Sequence, residues 1–235
     1  MSKLLSQKNL FLLLICLGLL SIGFVFSSSA LAAEPKKNIL LKVPFTTQAP
    51  LANWKDKRQQ DGCEEAVALM AMAFVKGEGL DVKKPITKAT WEKKITTLSD
   101  FEQKKYGEYR DVSLSDMKKW IFEDYFKYQK VSLKEIATTS DLVSELEKGR
   151  IILVPANGRA LKNPYFTAPG PVTHMILIKG YDYQTDEFIT NDPGTRRGEN
   201  YRYKSKIVLE ALRVYPTGYH LPVKKIEKKV IVVEK

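Results

Sequence analysis

His174-Met175-Ile176-Leu177-Ile178-Lys179-Gly180-Tyr181-Asp182-Tyr183-Gln184-Thr185-Asp186-Glu187-Phe188-Ile189-Thr190-Asn191-Asp192 is the stretch from which the fold is best read. Two apolar runs, Met175 to Tyr181 and Glu187 to Asp192, flank a turn at Gln184-Thr185-Asp186, the pattern of an antiparallel hairpin. Paired strands lie about 5 Å apart, so the hairpin brings its two ends, His174 and Asn191-Asp192, side by side. Ile151-Ile152-Leu153-Val154-Pro155 reads as a preceding strand, and Ile39 to Phe45 as an early one ended by Pro44.

Working outward, the region before the hairpin is helical. Gly62-Cys63-Glu64-Glu65-Ala66-Val67-Ala68-Leu69-Met70-Ala71-Met72-Ala73-Phe74 is rich in helix formers, and a helix is expected from near Gly62 to around Gly77. Pro85 to Phe126 is amphipathic, with Trp91, Ile95 and Leu98 in one stretch and Leu114, Met117, Trp120, Ile121 and Tyr125 in another. Ser113 and Asp116 form a capping pair for the second stretch. A further helix is expected from Ser140 to Lys148, stopped by Gly149. Helices first and strands second predict an α+β domain, its N-terminal helical part packed on a C-terminal antiparallel sheet.

The composition agrees with one globular domain. The 235 residues are 44% hydrophobic and 28% charged, which excludes wholesale disorder, and no Gly-, Pro- or Ser-rich stretch suggests a fibre or stalk. The formal charge is +11. Its basic residues are dispersed among acids, without an arginine-rich arm or zinc-knuckle spacing, so a nucleic-acid partner is not expected.

The N-terminus carries the layout of a secretory signal: Lys3 and Lys8, an apolar run from Leu10 to Phe26, three serines, and Ala30-Leu31-Ala32. Residues 1–32 are expected to be a signal peptide cleaved after Ala32, or an uncleaved membrane anchor, and either places the rest outside the cytoplasm. Residues 33–38 form a polar linker, 39–215 the domain, and 216–235 a charged C-terminal strand or tail. Without Cys16, Cys63 is the only thiol, so no disulfide framework is expected; a lone exported Cys is buried and inert, paired with another chain, or a nucleophile.

Cys63 falls in the first turn of its helix, where unpaired N–H groups and the macrodipole favour a thiolate. Glu64 and Glu65 follow directly. They raise the thiol pKa if they face the sulfur and cap the helix if they face solvent. Only two histidines are available as a base. His174, at a strand end beside a loop, is preferred to His220, which lies beyond the last evident core strand. Asn191-Asp192 would orient the imidazole, although Asn191-Asp192-Pro193-Gly194 is also good turn chemistry. The backbone N–H of Cys63 is one donor for an oxyanion, and Gln48 or Gln60 the second.

As a set, Val43-Pro44-Phe45-Thr46-Thr47-Gln48, Asp61-Gly62-Cys63-Glu64-Glu65-Ala66, Gly170-Pro171-Val172-Thr173-His174-Met175 with Lys179-Gly180-Tyr181-Asp182, and Asn191-Asp192-Pro193-Gly194 resemble the stand-alone relatives of the bacteriocin-processing cysteine peptidases (peptidase family 39-like). The resemblance covers roughly residues 38 to 215. It implies a papain-like fold with Cys63 as nucleophile, His174 as base and acid, Asp192 orienting His174, and Gln48 as the oxyanion side chain. It implies no cofactor. This chain lacks the multiple spans and phosphate-binding loop of transporter-fused members, so double-glycine specificity is not carried over. Glu64-Glu65 stands where those members have small residues.

The irregular segment Pro155 to Phe166 is expected to form a rim, with Tyr165 and Phe166, and likewise Trp54 in the loop before Cys63, contacting a peptide substrate or tucking under their loops. The few His and Cys residues lack the spacing of a zinc site. The expected function is an exported thiol-dependent peptidase acting through a Cys63 thioester. The alternatives are a peptidoglycan amide hydrolase or transglutaminase-like acyl transferase on the same scaffold, and a non-catalytic cell-surface binding module.

Overall fold

The computed structural model describes residues 36–235. The expected signal peptide and the first residues of the expected linker lie outside the described residues. In chain order the elements are β1 (Ile39–Leu40), α1 (Lys57–Gln60), α2 (Cys63–Lys76), α3 (Lys88–Tyr106), α4 (Leu114–Asp116, running on as a π-helix over Met117–Tyr125), β2 (Val131–Glu135), α5 (Thr139–Glu147), β3 (Ile151–Ala156), β4 (His174–Asp182), β5 (Glu187–Asn191), β6 (Tyr201–Lys204), α6 (Ser205–Ala211) and β7 (Lys229–Val233).

The strands form one antiparallel sheet in the order β2-β7-β3-β4-β5-β6. β1 pairs with the far end of β4, at Gly180 and Tyr181, where β3 no longer reaches. A Cβ on Gly180 would stand 2.4 Å from the Ile39 carbonyl oxygen, so only glycine lets β1 approach there.

The apolar runs are continuous because both faces of the sheet are covered. Ile151 and Leu153 of β3, Met175 and Leu177 of β4, and Ile231 and Val233 of β7 join α2, α3 and α4 in one core. The alternate residues, Ile152, Val154, Ile176, Ile178, Val230 and Val232, join α5 and α6 in a second core. Each fully buried aliphatic side chain contributes roughly 1.5–3 kcal/mol of transfer free energy.

The expected α2 starts after Gly62 and ends at Gly77, and Ser113 accepts a hydrogen bond from the Asp116 N–H as a cap. The C-terminal segment, expected as a charged strand or tail after the domain, does hold a strand, but that strand sits inside the sheet. β7 is an inner strand, paired to β2 on one side and β3 on the other, and Val230 to Val233 are buried. Its short apolar run is flanked by lysines, so it looks peripheral, but only long-range pairing decides where it goes. β2, β6 and α6 also went unforeseen.

Candidate active site

Cys63 is the first residue of α2, and no acceptor engages its backbone N–H among the described residues. Its side chain opens on a cleft of about 860 Å³ that also takes in Gln48, Trp54, Asp61, Tyr165, Phe166, His174 and His220. His174 begins β4, and β5 returns to end at Asn191 opposite Leu177, with Asp192 following toward the start of β4.

There the expected pair is formed: His174 Nε2 lies 2.8 Å from Asp192 Oδ1, with both side chains buried. The Gly194 N–H donates to the same oxygen at 2.9 Å. Oδ2 accepts from the Tyr203 hydroxyl at 2.6 Å and from Asn163 Nδ2 at 3.2 Å. Burial opposes the Asp192 charge, but His174 and the donors from Tyr203 and Gly194 outweigh it and hold the carboxyl below its ordinary range. With Nε2 on the carboxylate, Nδ1 is the nitrogen left for proton exchange. Asn191-Asp192-Pro193-Gly194 is both turn and site, since a Cβ on Gly194 would stand 2.9 Å from His174 Cε1.

His220 reaches the same cleft, but its ring stacks on Tyr219 at 4.0 Å and has no carboxylate partner among the described residues. Its backbone N–H donates to Asp111 Oδ2 at 2.5 Å, and Thr173 donates to the other oxygen of that carboxylate. Asp111, unmarked in the sequence by any motif, thus ties the residue before His174 to the His220 loop.

The two glutamines separate. Gln48 Nε2 points inward and donates to the carbonyls of Gln59 at 3.2 Å and Gln60 at 2.7 Å, so both its hydrogens are engaged. Gln60 also lines the cleft, but its Oε1 accepts from Lys57 at the surface. Of the rim aromatics, Trp54 and Tyr165 are exposed on the cleft, with the Arg197 guanidinium over the Tyr165 ring at 4.7 Å. Phe166 instead packs edge-on against His174, ring centroids 5.2 Å apart, and steadies the imidazole from the cleft side.

Glu64 and Glu65 are buried. Cys63 Sγ donates to Glu64 Oε2 at 3.0 Å, and the Tyr215 hydroxyl donates to Glu64 Oε1 at 2.6 Å. Burial, then the Asp111 charge, push the Glu64 carboxyl up to about 7. Burial, then Glu64, push the Cys63 thiol well above its ordinary value. Behind them, Ser99 donates to Glu65 at 2.7 Å, and Glu102 of α3 faces Glu65. The helix terminus therefore does not win over its acidic neighbours. Among the described residues, no three His, Cys, Asp or Glu side chains are grouped to hold a metal ion, and no helix is long and apolar enough to cross a membrane.

No curated protein matches this chain. Its fold is similar to that in the crystal structure of a candidate C39-like peptidase from Bacillus anthracis, with a TM-score of 0.52 and 14% identity over 85% of this chain and 98% of that one. At that identity the likeness speaks for the fold, which is papain-like. A model of the Peptidase_C39 like family matches residues 40–218, a span running from β1 past α6 and containing the Cys63 helix, the His174 strand and the Asp192 turn. This chain belongs to the Peptidase_C39 like family.

Proposed function

We propose that the protein is an exported thiol-dependent peptidase that hydrolyses peptide bonds through a thioester on Cys63. The observation that carries the reading is the buried His174–Asp192 pair at 2.8 Å, opening on the same cleft as a thiol at a helix N-terminus. Asp192 fixes Nε2, and Nδ1 takes the thiol proton as Sγ attacks the carbonyl carbon. The oxyanion meets the free N–H of Cys63, and Gln48 if it gives up its weaker contact, that to the Gln59 carbonyl. His174 then protonates the leaving amine, and water deacylates the enzyme with His174 as base. Export rests on the signal-like layout of residues 1–32.

The test is incubation of the mature protein with an unfolded protein substrate, reading new N-termini by mass spectrometry. Cleavage should vanish in Cys63→Ala and His174→Ala. Cleavage that survives Cys63→Ala sinks the reading. The binding-module alternative draws on two observations, the thiol proton held by Glu64 and the engaged Gln48 amide. It predicts substrate capture without new termini in the unaltered protein.

A further inference from the structure

Glu64 takes no part in the steps above, yet it is the side chain hydrogen-bonded to the nucleophile. It lies at the start of α2, where a carboxylate normally faces solvent and complements the helix dipole. Here it is turned inward, with one oxygen on Sγ at 3.0 Å and the other on the Tyr215 hydroxyl at 2.6 Å. Tyr215 comes from the segment after α6, on the far side of the sequence, and its own side chain is buried. A buried carboxylate gripped from two sides in this way has a fixed position, and that position is against the sulfur.

We propose that Glu64 is a positioning residue of the nucleophile, its carboxylate holding the Cys63 thiol proton so that the resting protein carries one proton shared between Sγ and Oε2. The proposal rests on the reading of Cys63 as nucleophile. Moving that proton breaks the S–H bond and makes an O–H bond on Glu64; the thiolate left behind then receives a hydrogen bond from the new carboxyl group. The charge of the pair stays at minus one throughout, so no counter-ion is needed.

Apart from His174 across the cleft, the groups facing this pair are acidic or neutral. Glu65 lies beside it on α2, Glu102 stands behind Glu65 on α3, Asp111 comes from the loop before α4, and Tyr215 from the segment after α6. No Lys or Arg pairs with Glu64 among the described residues. The surroundings thus disfavour a second negative charge, and they oppose a bare thiolate beside an ionised Glu64. The sulfur becomes nucleophilic when Glu64 takes up its proton, or when His174 takes the thiol proton while Glu64 is neutral.

The experiment is alkylation of Cys63 by iodoacetamide across pH, read as the modified peptide, in the unaltered protein and in Glu64→Gln. Gln keeps the shape and cannot carry the charge, and its amide donates to a thiolate. In the unaltered protein the rate should rise only at or above the free-thiol value of about 8.5. In Glu64→Gln the transition should fall by at least about one pH unit, roughly a tenfold faster reaction at neutral pH. Superposed profiles overturn the proposal. If Glu64→Gln does not fold, the unaltered protein decides alone, since full thiolate reactivity on a plateau below neutral pH also overturns it. Substrate cleavage in Cys63→Ala is scored separately: surviving cleavage removes the peptidase reading, whereas its loss together with superposed profiles removes only the role of Glu64.

Discussion

Asp192→Asn separates an orienting carboxylate from a mere turn residue. Four donors converge on the two carboxylate oxygens: His174 Nε2 and the Gly194 N–H on one, Tyr203 and Asn163 on the other. Asparagine offers one oxygen. With that oxygen kept toward His174, the new NH2 faces Asn163 Nδ2 and the Tyr203 hydroxyl, whose own proton is stranded at about 1–3 kcal/mol. The remaining contacts fall from charge-assisted to neutral, roughly 1 kcal/mol each. A loss of about 2–4 kcal/mol at neutral pH is expected, measured by urea unfolding. In a turn Asn serves as well as Asp, so a purely local role predicts a change within about 0.5 kcal/mol. The pH dependence has a definite sign. The folded carboxyl is held below its unfolded value of about 3.9, so its contribution is present above that pH and is lost as pH falls through the folded value. The gap between the two proteins should therefore close in acid. A gap under about 0.5 kcal/mol at neutral pH, or one that persists unchanged in acid, refutes the reasoning.

Gly194→Ala would place a Cβ 2.9 Å from His174 Cε1; peptide cleavage should fall about 100-fold with the fold retained, read as kcat beside a melting curve. Glu102→Gln should stabilise the protein by about 1–2 kcal/mol at neutral pH. Burial and the neighbouring Glu65 charge raise the Glu102 carboxyl, so the folded state keeps a proton that the unfolded chain releases above about pH 4.3. Stability then falls as pH rises, and urea midpoints across that range should show a shallower slope in the variant. Deleting residues 229–235 removes β7 from between β2 and β3 and should abolish cooperative unfolding in circular dichroism melts.

The parts of the site that were legible in the sequence are those set by neighbours along the chain. The hairpin follows from two apolar runs and a turn, and it suffices to bring His174 to Asp192. α2 follows from its helix formers between Gly62 and Gly77. The acidic pair after Cys63 was visible, but its direction was not. Whether Glu64 faces solvent or sulfur depends on Tyr215, more than a hundred residues away, filling the space beneath it. Asp111 is illegible in the sequence for a similar reason, because its partners, Thr173 and His220, meet only when three separate loops converge. Tyr203 and Asn163, which complete the Asp192 shell, lie on an edge strand and a rim loop whose patterns speak of local structure alone. Had β6 been recognised, alternation along Tyr201-Arg202-Tyr203-Lys204 would have turned Tyr203 inward.

β7 gives the domain a particular relation to time. Synthesis runs from the N-terminus, so α2, α3 and the His174 hairpin all emerge while the slot between β2 and β3 stands empty. Until residues 229–233 arrive, both cores lack the side chains of β7, and the facing edges of β2 and β3 lie open. Closure of the sheet then joins Lys229–Val233 to Val131–Glu135, about a hundred residues earlier, a pairing of high contact order. The cleft is therefore built on a frame that locks only when Lys229–Val233 pairs on both sides. A polypeptide ending before residue 229 would carry Cys63, His174 and Asp192 on a sheet that lacks one of its inner strands, so reactivity in the cleft depends on a segment far outside it.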